Sequence, residues 1–169
     1  MQLNRSEYII KRADSIMRRA ESRDPDRIAE EIGIFVRYAP FVKQKGVYKI
    51  IERNRFVFLK EDLDPLMRNI VLLHEIGHDT LHRREASQFQ EFNLFDRKEN
   101  RMEYEANLFA AQIMLPDEEV LDYIYQGYDA AQIAGFLNSD RNLVALKVDS
   151  LNMRGFQFNG VEHKNNFLK

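Results

Sequence analysis

The chain has 169 residues and a mass of 20.1 kDa, is 44% hydrophobic and 31% charged, and carries a formal net charge of −2. Its 7 Gly and 4 Pro exclude collagen-like and low-complexity classes, and the lack of cysteine excludes disulfide scaffolds, thiol nucleophiles and cysteine-ligated zinc or iron–sulfur sites. A chain of this length buries roughly 70% of its unfolded surface, enough to fold around one core without a covalent or metallic staple.

The charge is unevenly spread: residues 1–60 hold 14 basic against 8 acidic groups, residues 61–116 hold 6 against 11, and residues 117–169 hold 5 against 8. The basic third would suit an acidic partner or, equally well, form a solvated amphipathic face. Met1 to Ala20 alternates Arg and Lys with Ile and Met and contains no signal-peptide apolar core. No apolar run reaches the roughly 20 residues that span a bilayer, so the expectation is a cytoplasmic protein with no membrane partner.

Asn4 or Ser6 can cap a first helix, with Tyr8, Ile9, Ala13, Ile16, Met17 and Ala20 at helical spacing. Asp24-Pro25 opens a short second helix, Asp26 to Ile32, stopped at Gly33. Three strand-like pieces follow, Ile34–Tyr38, Val47–Ile51 and Phe56–Leu59, separated by Ala39-Pro40, Gly46 and Arg53-Asn54. They predict a small antiparallel sheet, with Arg55–Leu59 as an edge strand on which an extended peptide could dock. Proline at Val57 is the substitution that tests this.

Asp62 or Asp64, with Pro65 in the first turn, starts a helix running from Leu66 to about Leu81. Leu66, Met67, Ile70, Val71, Leu72, Leu73, Ile76 and Leu81 cover most of its circumference, as in a helix buried on more than one side. Residues 83–100, polar with Phe89, Phe92 and Phe95 interspersed, read as a long loop of the kind that often carries specificity. A helix over Arg101–Leu115 ends at Pro116, and helical stretches lie around 117–126, 129–137 and 140–153. An aromatic-polar tail with Phe156, Phe158, His163 and Phe167 follows. The expected division is a core over residues 1–116 and a small helical subdomain and tail over 117–169.

The buried helix contains His74-Glu75-Ile76-Gly77-His78, a match to H-E-x-x-H. Residues four apart lie about 40° from each other around a helix and one turn along it, so both imidazoles can reach one cation. Glu75 projects about 100° from His74, placed to take a proton from a water beside that cation without ligating it. The competing reading is two buried histidines satisfied by backbone carbonyls; the apolar surroundings make two unpartnered core imidazoles expensive. His82 lies eight residues, or about 12 Å of helix, beyond His74, too far to join the same ion. It reads as a structural residue or a support for a ligand.

The following helix offers Glu103 and Glu105 as a third ligand. Glu103 flanks the apolar stripe beside Ala106, Asn107 and Ala110, whose short side chains allow another helix to come close. Glu105 flanks the other side, toward Gln112 and solvent, and is the alternative. Asn107 could hydrogen-bond a ligating imidazole. The arrangement is that of a zinc hydrolase, with Zn2+ on His74, His78 and Glu103 (Glu105 being the alternative) and Glu75 taking the proton of a metal-bound water. Tyr48, Tyr104, Tyr125, His82 and Arg101 can each donate to an oxyanion.

His74–His78 with Leu81-His82, followed by the block from Glu103 through Ala106, Asn107, Phe109 and Ala110 to Leu115-Pro116, resembles the ImmA/IrrE family of metallopeptidases. Pro25, Arg27, Ile28 and Ala29 in the second helix fit the same pattern, and the resemblance covers roughly residues 24–153. It implies an α+β fold: a minimal zincin-like (thermolysin-like) domain whose small antiparallel sheet packs on the active-site helix, plus a C-terminal helical subdomain. Carried over by position, it implies zinc on His74, His78 and Glu103, with Glu75 as general base. The implied activity is cytoplasmic, site-specific endopeptidase cleavage of a helix-turn-helix transcriptional repressor, lifting repression of a phage or mobile element.

Toward the C-terminus Ile133-Ala134 and Phe136 keep the family's pattern, while Asp140, Lys147-Val148 and Asn152 depart from it. Two other functions compete. One is a non-proteolytic zinc-containing regulator that acts by binding another protein, against which the intact Glu75 argues. The other is DNA binding through residues 117–153, against which the acidic charge argues; no direct nucleic-acid contact is expected.

Overall fold

The computed structural model describes residues 4–88 and 97–161. Helix α1 (Arg5–Ala20) is capped by Asn4, whose side chain accepts from the Ser6 N–H, and ends on Glu21 in the left-handed conformation. Helix α2 (Pro25–Glu31) is capped by Asp24, which accepts from the N–H groups of Asp26 and Arg27. The chain leaves α2 through Gly33 at φ +73°, the expected stop.

Strands β1 (Ile34–Ala39), β2 (Gly46–Ile51) and β3 (Asn54–Lys60) form one sheet in the order β1-β3-β2. β2 and β3 are an antiparallel hairpin turning through Glu52 and Arg53, both at positive φ. β1 runs parallel to β3, with Phe35 opposite Phe56 and Tyr38 opposite Leu59. The sheet is therefore mixed, not antiparallel. The reason is topological: the segment from residue 40 to 45 crosses the end of β3, where Lys60 N–H bonds to Lys45 O and Glu61 N–H to Ala39 O, so β3 enters between its predecessors. Local strand signals are blind to such an insertion. It also makes β3 the central strand, so Arg55–Leu59 is not an edge; the edges are β1 and β2.

Asp64 caps α3 (Pro65–Gln88), accepting from the Met67 N–H. The helix continues past Leu81 but is broken at His82 (φ −131°, ψ 24°). Helix α4 (Arg97–Met114) likewise begins before residue 101. Residues 83–88 and 97–100 are thus helical and not loop: they lack an apolar period but carry no breaker either. Phe89, Phe92 and Phe95, like His163 and Phe167, lie outside the described residues.

Helices α5 (Asp117–Tyr125), α6 (Ala130–Phe136) and α7 (Arg141–Met153) complete the fold. Asp129 forms a full capping box with Gln132, and Asp140 caps α7. The layering explains the all-round apolar character of α3: the sheet covers one side and α4 the other, and α4 in turn packs on α1 and α7. Ile70–Gly77 on α3 and Glu105–Ile113 on α4 are buried without interruption. No helix among the described residues is long and apolar enough to cross a membrane.

Candidate metal centre

The two histidines of α3 bring their Nε2 atoms to 3.0 Å from one another, with ring centroids 4.6 Å apart and planes at 87°. Glu103 reaches in from α4: Oε2 lies 3.4 Å from His74 Nε2 and Oε1 3.3 Å from His78 Nε2. Three ligand atoms, one from each side chain, thereby form a tight triangle capable of holding a metal ion. Tetrahedral zinc with ligand bonds near 2.0–2.2 Å separates its donors by about 3.3–3.5 Å, close to these spacings. The donor set, two imidazoles and a carboxylate, is that of a catalytic zinc site with a fourth position left open.

Close helix packing makes this possible. A Cβ on Gly77 would stand 3.1 Å from Ala106 Cα and 3.2 Å from Ala106 O, and 3.3 Å from the Phe109 ring. Glycine on α3 facing alanine on α4 lets the two backbones approach, and Glu103, one turn before Asn107, then overhangs the histidines. The Asn107 carbonyl oxygen lies 2.7 Å from His74 Nδ1, so it accepts the Nδ1 proton and leaves the Nε2 lone pair facing the triangle.

Burial disfavours charge on His74, but the hydrogen bond to Glu103, the nearby Glu75 carboxylate and Asn107 outweigh it and raise its pKa. Burial likewise opposes ionisation of Glu103, and the bonds and charges of His74 and His78 reverse that, holding its carboxyl well below the usual range. The three groups thus stabilise positive charge between them. Glu75, 8% exposed, lies on the side of α3 facing the start of β2. A Cβ on Gly46 would collide with Val71 Cγ1 and stand 3.4 Å from Glu75 Oε1, so this glycine lets the edge strand pack close on α3 beside the carboxylate.

Glu105 does not point to solvent. It is buried and bonded to His82, Arg5 and Arg101, on the opposite side of α4 from the histidine pair's carboxylate. The sequence pattern placed it correctly away from Glu103 but could not show that α1 and the kinked end of α3 cover that side. Asp79, immediately after His78, is a residue that the motif reading passed over. It is 1% exposed and accepts from Tyr48 Oη at 2.7 Å, Arg55 Nη1 at 2.7 Å, and Arg83 Nε and Nη2 at 3.1 and 3.0 Å. Arg55 also reaches the Ile32 carbonyl at the end of α2. The available signal was an acid on the sheet-facing side of an otherwise apolar helix.

This bonding removes several of the candidate oxyanion donors. Tyr48 is buried against Asp79, and burial together with that bond pushes its phenol pKa well up. His82 and Arg101 both bond to Glu105.

The sequence pattern of a peptidase family, the IrrE N-terminal-like domain, matches residues 29–148, a span that takes in the whole sheet and both helices that build the triangle. An uncharacterized immunity region protein 2 of Bacillus phage phi105 is 31% identical over 124 residues, 71% of this chain and 77% of that protein. The metallopeptidase ImmA of Bacillus subtilis (strain 168) is 36% identical over 74 residues, 42% of this chain and 43% of the relative.

Proposed function

Since the chain belongs to the family of the IrrE N-terminal-like domain and is a metallo-endopeptidase, we propose that its metal is zinc, held by His74, His78 and Glu103, and that it cleaves a helix-turn-helix transcriptional repressor in the cytoplasm, relieving repression of a phage or mobile element. The observation that carries the metal reading is the convergence of three ligand atoms: His74 Nε2 and His78 Nε2 lie 3.0 Å apart, and each faces one oxygen of the Glu103 carboxylate, at 3.4 and 3.3 Å. The likeness to a phage protein named for its immunity region supports the substrate class.

Bound zinc supplies Lewis acidity, polarising the scissile carbonyl and making a water acidic enough to attack at neutral pH. The chain's own groups do the rest. Asn107 fixes the ring of His74 through its Nδ1 proton. Glu75 accepts the proton of the attacking water and returns it to the nitrogen of the departing amine. β2 is the edge strand on the Glu75 side, with one side of its backbone paired to β3, so the substrate backbone adds to β2 and its scissile bond comes to rest over Glu75. The edge role expected of Arg55–Leu59 thus passes to Gly46–Ile51.

A recognition helix for DNA would have to be exposed, yet α7 is buried from Leu143 through Val148. That supports a protein substrate over nucleic acid. The test is zinc content and cleavage of the repressor from the same genetic element, for wild type and Glu75→Gln. About one zinc in both, with cleavage by the wild type alone, is the expected result. A Glu75→Gln protein that still cleaves overturns the assignment of the base. Zinc-bound wild type that leaves the repressor intact, yet relieves repression, points to the non-proteolytic regulator.

A further inference from the structure

His82 sits at the break in α3, and the break turns its ring back toward the site: Nδ1 lies 3.3 Å from His78 Nδ1, and Nε2 lies 2.8 Å from Glu105 Oε2. Both ends of this imidazole are therefore committed, and the side chains of His82 and Glu105 are 3% and 4% exposed. Glu105 is held from the other side by Arg5 of α1, with Nε at 3.0 Å, and by Arg101 one turn earlier on α4, with Nε at 2.8 Å. The four residues form a continuous chain from two surface arginines to the far nitrogen of a metal-ligating imidazole.

We propose that His82 and Glu105 are positioning residues for His78: together they hold its ring in the tautomer and orientation that offers Nε2 to the metal. This rests on the reading of His74, His78 and Glu103 as the metal ligands.

The order of protons follows by exclusion. A neutral His78 that gives its Nε2 lone pair to a cation carries its proton on Nδ1. The atom facing that proton is His82 Nδ1, which must accept, so His82 carries its own proton on Nε2. That proton faces a carboxylate oxygen of Glu105, a strong acceptor. Reversing the chain fails at both ends. If His82 donated from Nδ1, His78 would carry its proton on Nε2, aimed into the ligand triangle, and a neutral His82 would set a lone pair against a buried carboxylate.

The two ligand histidines are thus oriented differently. His74 donates to a neutral amide on α4, whereas His78 donates to a second imidazole backed by a charged carboxylate and two guanidiniums. A hydrogen bond backed by an anion makes the ligating imidazole the stronger electron donor.

The test is zinc affinity by chelator competition for the full chain and for His82→Leu, His82→Gln and Glu105→Ala, with folding checked by circular dichroism. Glutamine keeps one acceptor and one donor on the same side chain; leucine keeps neither. The expected result is about a 10–100-fold loss of affinity in His82→Leu and Glu105→Ala, with partial recovery in His82→Gln. A second readout needs no variant: 15N-resolved NMR of the zinc-loaded wild type should show His78 protonated at Nδ1 and His82 protonated at Nε2 only. A His82 proton on Nδ1, or folded variants that bind zinc as wild type does, overturns the relay. A wild type that binds zinc no better than His74→Ala overturns the metal centre, and the relay with it.

Discussion

The Tyr48 hydroxyl donates a 2.7 Å hydrogen bond to the Asp79 carboxylate, tying the edge strand β2 to the helix that carries both histidines. Arg55 on β3 bonds to the other oxygen of the same carboxylate. One buried acid thus ties β2 and β3 to α3. Tyr48→Phe leaves Asp79 paired with Arg55 and Arg83, so the expected loss is about 1–2 kcal/mol by urea denaturation, with zinc affinity unchanged. Asp79→Ala leaves the partly buried Arg55 guanidinium without its counter-charge and is expected to cost about 3 kcal/mol or more.

Gly77→Ala tests the helix contact. In an exposed helix this change stabilises by about 0.5–1 kcal/mol, and Gly135 on α6, where an added Cβ would meet no heavy atom within 4 Å, should behave that way. At Gly77 the methyl meets Ala106 backbone at 3.1 Å, so α3 and α4 must separate or distort. Overpacking costs about 1–3 kcal/mol, which outweighs the helix gain. Moving α4 also withdraws Glu103, so zinc affinity should fall together with stability; a Gly77→Ala protein with undiminished zinc affinity would contradict the packing argument.

Metal removal should be visible in melting temperature. Zinc at about 100 times its dissociation constant adds about 2.7 kcal/mol to the native state. Thermal shifts on adding zinc to chelator-treated protein are expected for wild type and Glu75→Gln. Glu103→Ala and His74→Ala should show little or none, because each removes a corner of the triangle.

The Lys147–Asp117–Arg154 cluster predicts how stability follows pH. Burial opposes the Asp117 charge, yet bonds from Arg154 and Lys147 hold its carboxyl at about 2, below the ordinary 3.8. Its contribution is therefore full above pH 4 and is lost as pH falls from about 4 to about 2. Burial lowers Lys147 to about 8 even with Asp117 beside it. A buried cation whose folded pKa lies below its unfolded one has the opposite slope: the cost of charging it is complete below pH 8 and is relieved as pH rises toward 10.5. Subtracting the stability–pH curve of Lys147→Met from that of wild type should isolate a rise beginning near pH 8, read by chemical denaturation.

The grouping of His74, His78 and Glu103 was largely legible in the chain because each part of it is local. His74 and His78 share a face through helical spacing alone, and Glu103 and Asn107 are one turn apart on a helix whose small residues Ala106 and Ala110 flank them. Capping by Asn4, Asp24, Asp64 and Asp140 was equally legible, because a cap is a side chain bonding its own neighbours. The family resemblance drew on the same short-range blocks.

What the sequence by itself determined is the order and most of the extent of the helices and strands, the apolar faces they bury and the motif they carry, since periodicity, caps and motif spacing act within a few residues. The tertiary structure decided what meets what: the insertion of β3 between β1 and β2, the covering of Glu105 by Arg5 a hundred residues away, and the gathering of Tyr48, Arg55 and Arg83 on Asp79. Those contacts depend on how three layers stack and on a backbone break at His82, and neither leaves a periodic trace in the chain.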